Sequence, residues 1–151
     1  MKKVNELTQD VRIQAIEDLK TPREIALMYP LTEDDRKSIC KYRNSVNSII
    51  KGDDDRLLAI VGPCSIHDPK AAIEYAKRLK KLSDEVSDQF FIVMRTYFEK
   101  PRTTLGWKGL ILDPDMDETY NIEKGLEIAR KLLLDITRIG LPVGCEVLDP
   151  I

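Results

Sequence analysis

The sequence predicts an α/β fold in which helices cover a sheet of parallel strands. Two short apolar runs, at residues 57–61 and 90–94, and a segment at 143–147 that starts a third strand alternate with two stretches whose apolar residues recur at helical spacing. Runs without polar interruption are typical of strands buried on both faces of a parallel sheet. Strands that alternate with helices in this way are joined by right-handed crossovers. The pattern fits the start of a doubly wound sheet and the start of a barrel equally well, so it leaves both open.

Two helices are predicted ahead of the first strand, and each has a recognisable start. Thr21 and Glu24 have the spacing of a capping box at the start of a short first helix. The second helix begins after Thr32 with acidic residues at its positive end, and Gly52 ends it. Its buried face is expected to comprise Ile39, Tyr42, Val46, Ile49 and Ile50. Residues 1–20 have no clear period, and we interpret them as an extended arm or a frayed helix.

Two further helices are predicted between the strands, at residues 69–86 and 122–138. Asp68 and Asn121 stand where the capping residues of these helices belong. The connection between the second strand and the last helix is a loop of roughly 25 residues, and loops of that length are usually functional or disordered. We expect Trp107 to be the apolar anchor of this loop.

Composition places the chain among ordinary globular proteins and excludes several classes of function. Of its 151 residues, 42% are apolar and 33% are charged, and the net charge of −2 gives nucleic acid no attractive field. No apolar run approaches the ~18 residues of a membrane span, and the first residues lack the apolar region of a secretory signal. Three widely spaced cysteines argue against a disulfide framework. We therefore expect a cytoplasmic protein that binds neither nucleic acid nor membrane.

Polar and reactive side chains follow each predicted strand at the point where it ends. Residues 62–68 include a cysteine and a histidine, Arg95 and residues 99–104 provide cations and hydroxyls, and Glu146 lies at the third strand. Because the carboxyl ends of parallel strands lie at one edge of a sheet, we expect these groups to converge there. Arginine and lysine at a strand end suit a phosphorylated or carboxylated substrate. A salt-bridged acid at the edge of the core is an equally good interpretation of Glu146.

Plainer interpretations stand beside these functional ones. The basic residues Arg95, Lys100 and Arg102 could form a solvated surface patch, although they directly follow a buried strand. Cys64 could be a small buried hydrophobic residue. The spacing of Cys64 and His67 suggests a metal site, but the chain has no other histidine, so we favour a structural role for His67.

Longer blocks of sequence give the chain a family resemblance. They are residues 62–68 (GPCSIHD), 94–104 (MRTYFEKPRTT), 106–111 (GWKGLI) and 125–134 (GLEIARKLLL). In order and spacing they resemble the class I 3-deoxy-D-arabino-heptulosonate 7-phosphate (DAHP) synthases of the amino-acid-regulated bacterial type. The resemblance extends over nearly the whole chain and is strongest from Asp54 onward.

The resemblance implies that the sheet is part of a (β/α)8 TIM barrel. Residues 1–53 would be an N-terminal arm with helices, and residues 54–151 would contain the first three βα units. A barrel of this type needs ~250 residues. We therefore expect the chain to stop before the barrel closes and to be inactive by itself.

The resemblance also implies an activity, that of a transferase that condenses phosphoenolpyruvate with erythrose 4-phosphate. The products are DAHP and phosphate, and the reaction is the first step of the shikimate pathway to the aromatic amino acids. It implies a divalent metal (Mn, Fe, Co or Zn), of which Cys64 would be one ligand, with the other ligands supplied by later strands. Arg95 and Lys100 match residues that hold phosphoenolpyruvate, and Arg102 and Thr103 match residues that bind the aldose phosphate.

The remaining implied roles are catalytic and regulatory. Lys100 and Glu146 are the expected catalytic residues, since Lys100 matches a residue that holds phosphoenolpyruvate and Glu146 matches an acid near that site. Asp10 and Pro150 match positions around a pocket for an aromatic amino-acid effector, with tyrosine favoured, in a homodimer or homotetramer. Two alternatives remain: 3-deoxy-D-manno-octulosonate 8-phosphate synthase, which the motif at residues 100–103 disfavours, and a non-catalytic module that binds phosphates or a full-length synthase.

Overall fold

The computed structural model describes residues 16–100 and 105–148. The predictions for Asp10, Arg102, Thr103 and Pro150 therefore lie outside the described residues. In chain order the elements are α1 (Pro22–Met28), α2 (Glu33–Lys51), β1 (Leu57–Val61), α3 (Pro69–Glu85), β2 (Phe90–Arg95), α4 (Ile122–Ile139) and β3 (Val143–Gly144). No helix in these ranges is long and apolar enough to cross a membrane.

The three described strands form one parallel sheet in the order β1-β2-β3. Val61 at the end of β1 pairs with Met94 of β2, and Met94 in turn pairs with Val143 of β3. The three strands therefore end at the same edge, and the predicted parallel α/β arrangement is confirmed. β3 is shorter than predicted, because its ladder contains only Val143 and Gly144 and not the residues up to 147.

The core lies between the sheet and helices α3 and α4. Its buried cluster comprises Ile66, Ala72, Ala76, Leu79, Ile92, Met94, Phe98, Leu110, Ala129, Leu132, Ile136 and Leu141. Trp107 packs against this cluster, as expected of an anchor for the long loop, and its Nε1 donates to the carbonyl of Asp113 at 2.7 Å. Helices α3 and α4 thus bury β2 and the start of the loop together.

Two burial predictions are wrong for this chain. β1 was expected to be buried on both faces, but Leu57 and Ile60 are 63% and 59% exposed. In the described sheet β1 is an edge strand with β2 as its one neighbour, so its side chains have cross-strand neighbours on one side only. On α2, Ile50 is 73% exposed. It lies about 100° round the helix from Ile49, which takes it off the face that packs on the rest of the chain.

The start of α2 is tied to the end of α4 by a buried carboxylate. Asp35 is 6% exposed and completes the capping box by accepting from the backbone N–H of Thr32 at 2.9 Å. Arg138 of α4 donates to the same carboxylate through Nη2 at 2.9 Å and through Nε. The Arg138 hydrogen bond, followed by that from Thr32, holds the pKa of Asp35 well below its usual value.

This depressed pKa predicts a loss of stability in acid. A carboxyl group whose folded pKa lies below its unfolded value of about 3.9 stabilises the fold above that pH, and the contribution fades as the pH falls towards the folded pKa. We expect Asp35→Asn to lower the free energy of unfolding at pH 7 and to have a smaller effect at pH 3. Urea unfolding at both pH values measures this difference. Arg138→Met should show the same trend, and an equal loss at both pH values would contradict the assignment.

Candidate active site

The segments that leave β1 and β2 run close together because one of them begins with glycine. A Cβ atom on Gly62 would lie 2.5 Å from the carbonyl oxygen of Arg95, which is closer than any side chain can approach. The absence of a side chain at Gly62 therefore lets the turn that carries Cys64 lie directly against the end of β2. The parallel sheet brings the ends of β1 and β2 to one edge, and Gly62 allows the segments that follow them to lie close together.

Cys64, Arg95 and Lys100 meet at this edge. The Nζ of Lys100 donates to the Sγ of Cys64 at 2.9 Å, and the Nη2 of Arg95 donates to the carbonyl oxygen of Cys64 at 3.0 Å. The guanidinium carbon of Arg95 also lies 4.3 Å from the ring centroid of Tyr97, within cation–π range. The predicted convergence of the first two strand ends is thus confirmed for these three residues.

Protein contacts fix the positions of the Arg95 and Lys100 side chains, which are therefore not freely solvated. Arg95 and Lys100 are both half-buried, and neither forms an ion pair with any residue in the described ranges. The Nε of Arg95 is buried and has no hydrogen-bond partner among those residues. A buried donor without an acceptor is costly unless a ligand or water supplies one. This geometry favours an anion-binding site over a surface patch.

Glu146 follows β3 at the same edge of the sheet, where its side chain binds backbone N–H groups. Its Oε1 accepts from the N–H of Phe98 and from the N–H of Glu99, each at 2.6 Å. No ion pair of Glu146 is found in the described part of the chain, so the salt-bridge interpretation lacks a partner there. Its Oε2 is buried without a hydrogen-bond partner among the described residues.

Potential metal ligands are sparse at this edge. Across residues 16–100 and 105–148, no group of three or more His, Cys, Asp or Glu side chains is placed to hold a metal ion. Cys64 is exposed and can contribute one thiolate ligand. His67 packs edge-on to Trp107 with the ring centroids 6.5 Å apart, which agrees with the structural role favoured for it.

The other two cysteines take no part in the hydrogen bonds that join Cys64, Arg95 and Lys100. Cys40 is on α2, and Cys145 contacts Thr96 with 3.2 Å between Sγ and Oγ1. Burial raises the pKa of the Cys145 thiol, and the Thr96 hydrogen bond opposes that shift. A raised pKa together with the Thr96 contact suits a structural thiol better than a nucleophile or a ligand.

Sequence reasoning missed two components of the site. Tyr97 supports the Arg95 guanidinium, and the period of two along an extended segment could have placed both on the same side. The backbone N–H groups of Phe98 and Glu99 bind Glu146, which is almost 50 residues away in sequence. No local pattern indicates a backbone contact of that kind.

Comparison with known proteins shows the family of this chain. The model of the DAHP synthetase I family matches residues 28–151. The chain belongs to this family. It is 52% identical over 141 residues to the Tyr-sensitive phospho-2-dehydro-3-deoxyheptonate aldolase of Escherichia coli, covering 93% of this chain and 40% of that protein. It is 53% identical over 148 residues to the Phe-sensitive aldolase of the same organism, covering 98% and 42%.

Two further comparisons extend the family relationship to a shorter relative and to a solved structure. The phospho-2-dehydro-3-deoxyheptonate aldolase of Amycolatopsis methanolica is 51% identical over 148 residues, covering 98% of this chain and 73% of that protein. The solved structure of a family member from Francisella tularensis SCHU S4 matches with a TM-score of 0.88 and 49% identity, covering 92% of this chain and 41% of that one. The chain thus spans about two-fifths of the length of its Escherichia coli relatives.

Proposed function

We propose that the complete enzyme condenses phosphoenolpyruvate with erythrose 4-phosphate to give DAHP and phosphate, the entry to the shikimate pathway. The main support for this proposal is that Cys64, Arg95 and Lys100 converge at the ends of the first two strands in a chain of the DAHP synthetase I family. The coverage of the relatives supports the further proposal that this sheet is the beginning of a (β/α)8 barrel. Residues 1–53 would precede the barrel, and residues 54–151 would supply its first three βα units.

In this proposal the cations bind and orient the anionic substrate. Arg95 offers a planar fork whose buried Nε still needs an acceptor, and a carboxylate or phosphate oxygen of phosphoenolpyruvate would provide it. Lys100 adds a point charge 2.9 Å from the Sγ of Cys64, and it would bind phosphoenolpyruvate from that position. Fixed donors of this kind neutralise charge without having to reorganise during the reaction. Arg102 and Thr103 would bind the phosphate of the aldose.

The proposal includes a divalent metal (Mn, Fe, Co or Zn) with Cys64 as one ligand. When bound, such a metal acts as a Lewis acid and polarises the aldehyde. The described residues supply this single ligand and do not form a metal site by themselves. The other ligands would have to come from elsewhere in the complete enzyme.

The proposal extends to regulation and assembly. The names of the relatives include Tyr-sensitive, Phe-sensitive and Trp-sensitive forms. We propose an aromatic effector for this protein too, with tyrosine favoured and with Asp10 and Pro150 at the effector pocket of a homodimer or homotetramer. One specific observation favours a second candidate, a module that binds phosphates without turnover: the buried Nε of Arg95, which has no hydrogen-bond partner among the described residues and could take an anion with or without chemistry.

Substitution of the two arginines tests the division of labour between the substrates. In the complete enzyme we expect Arg95→Ala to raise the KM for phosphoenolpyruvate more than that for erythrose 4-phosphate, and Arg102→Ala to do the reverse. Each variant loses a charge-assisted contact of roughly 1.5–3 kcal/mol. Steady-state kinetics with each substrate varied in turn measures both effects. Equal effects of both variants on both substrates would refute the assignment, and no turnover by the unaltered enzyme would favour the phosphate-binding module.

A further inference from the structure

We infer that Glu146 is a positioning residue, whose carboxylate holds the backbone that leads into Lys100 and so fixes the ammonium group of Lys100. The catalytic consequence rests on the proposed function, whereas the positioning itself rests on the geometry alone. The residues concerned come from two strand ends that are distant in sequence: Glu146 follows β3, and Lys100 lies five residues after the end of β2.

The contact between Glu146 and this segment is specific. One carboxylate oxygen accepts two consecutive backbone N–H groups, those of Phe98 and Glu99, at 2.6 Å each. Hydrogen bonds from neutral donors to an ionised carboxylate are shorter and stronger than those between neutral groups. Phe98 and Glu99 are 3% and 8% exposed, so water cannot readily replace Glu146 as the acceptor. This one side chain therefore satisfies the N–H groups of two consecutive peptides.

The opposite side of the same segment is paired with the long loop. The N–H of Leu110 donates to the carbonyl of Phe98 at 2.6 Å, and the N–H of Lys100 donates to the carbonyl of Lys108 at 2.9 Å. Glu99 and Gly109 form an antiparallel bridge between these bonds. Residues 98–100 thus pair with residues 108–110 in a short two-stranded ribbon, and Glu146 contacts the side of residues 98–100 that faces away from this pairing.

Removal of the carboxylate acts first on the backbone and then on Lys100. Two buried N–H groups would lose their acceptor, which favours a rotation of the peptides that satisfies them elsewhere. Lys100 follows Glu99 directly, and its Nζ lies 2.9 Å from the Sγ of Cys64. A displacement of about 1 Å in a catalytic group can cost about a hundredfold in rate. Glu146 therefore acts on substrate through Lys100.

The alternative is that Glu146 touches the substrate itself through its buried Oε2, which has no partner among the described residues. The two roles differ in what glutamine can replace. A glutamine keeps a carbonyl oxygen that can accept from Phe98 and Glu99, so it preserves positioning in part. It cannot supply the charge or the proton that direct contact with substrate would require. Alanine removes both.

The first test measures positioning without any substrate. The complete protein is labelled with ¹⁵N-phenylalanine, and the amide signal of Phe98 is assigned by its disappearance in Phe98→Leu. We expect the Phe98 amide proton to resonate downfield of the other phenylalanine amides and to move upfield in Glu146→Ala. Asp84→Asn, at the far end of α3, removes a surface carboxylate and should leave the signal in place. A signal that does not move in Glu146→Ala would overturn the inference.

The second test measures the catalytic consequence. We expect Glu146→Ala to lower kcat/KM for phosphoenolpyruvate by about a hundredfold, and Glu146→Gln to lie within about tenfold of the unaltered enzyme. Lys100→Met with Glu146→Ala should be no worse than Lys100→Met alone, because the two residues act as one unit. A multiplicative loss in the double variant, or a Gln variant as poor as the Ala variant, would overturn the inference. An unaltered enzyme without turnover would refute the proposed function, and the amide test would still decide the positioning.

Discussion

Replacement of Cys64 by alanine is expected to abolish metal-dependent turnover and to leave the fold of the complete enzyme intact. The Sγ of Cys64 is at the candidate site and receives the Lys100 hydrogen bond. The residue is exposed and does not belong to the buried core, so loss of one sulfur atom should cost little packing. Rates at saturating manganese, measured together with the melting temperature, separate the two effects.

A matched cysteine provides the control for that experiment. Cys40 is also exposed but lies on α2, away from the ends of the strands. Cys40→Ala should keep both the rate and the metal dependence, since any loss common to both variants would indicate a general effect of removing a thiol. Full turnover by the Cys64→Ala enzyme in excess metal would end the assignment of Cys64 as a ligand.

The elements that local sequence signals define were predictable to within one residue. Thr21 and Thr32 form the two capping boxes, and Asn121 caps α4. Gly52 and Gly140 end α2 and α4 in left-handed conformation, as glycine at that position does. These signals act within four or five residues, so they can be identified without knowing the rest of the fold.

The features that sequence did not predict depend on contacts across the fold. The short ladder of β3 and the exposure of Leu57 and Ile60 follow from which strands lie beside which, and apolar content alone does not contain that information. The site likewise has features that local sequence signals predict and features that depend on contacts across the fold. Its charged residues could be found because they follow strands, whereas the contact of Glu146 with the backbone of Phe98 depends on how two loops pack.

Gly125→Ala is expected to destabilise the protein, although the same change usually stabilises a helix. Gly125 lies in the first turn of α4, where alanine would normally gain roughly 0.5–1 kcal/mol over glycine. Here an added Cβ would lie 2.1 Å from the carbonyl oxygen of Ile111 and 2.7 Å from its carbonyl carbon. These are backbone atoms of the long loop, so relief requires a shift of the loop or of the helix. Overpacking of this kind costs roughly 1–3 kcal/mol and outweighs the gain in helix propensity.

The shift should also reach the candidate site, because the loop pairs with the segment before Lys100. Leu110, next to Ile111, donates to the carbonyl of Phe98, so a displaced loop pulls on the same backbone that Glu146 holds. We expect Gly125→Ala to lower both the free energy of urea unfolding and kcat/KM. Gly52→Ala is the control: nothing lies within 4 Å of its added Cβ, so it should cost about 1 kcal/mol for its positive φ and leave the kinetics unchanged. A Gly125→Ala protein at least as stable as the unaltered one would mean that the loop yields freely, and that the ribbon beside Lys100 is held mainly from the Glu146 side.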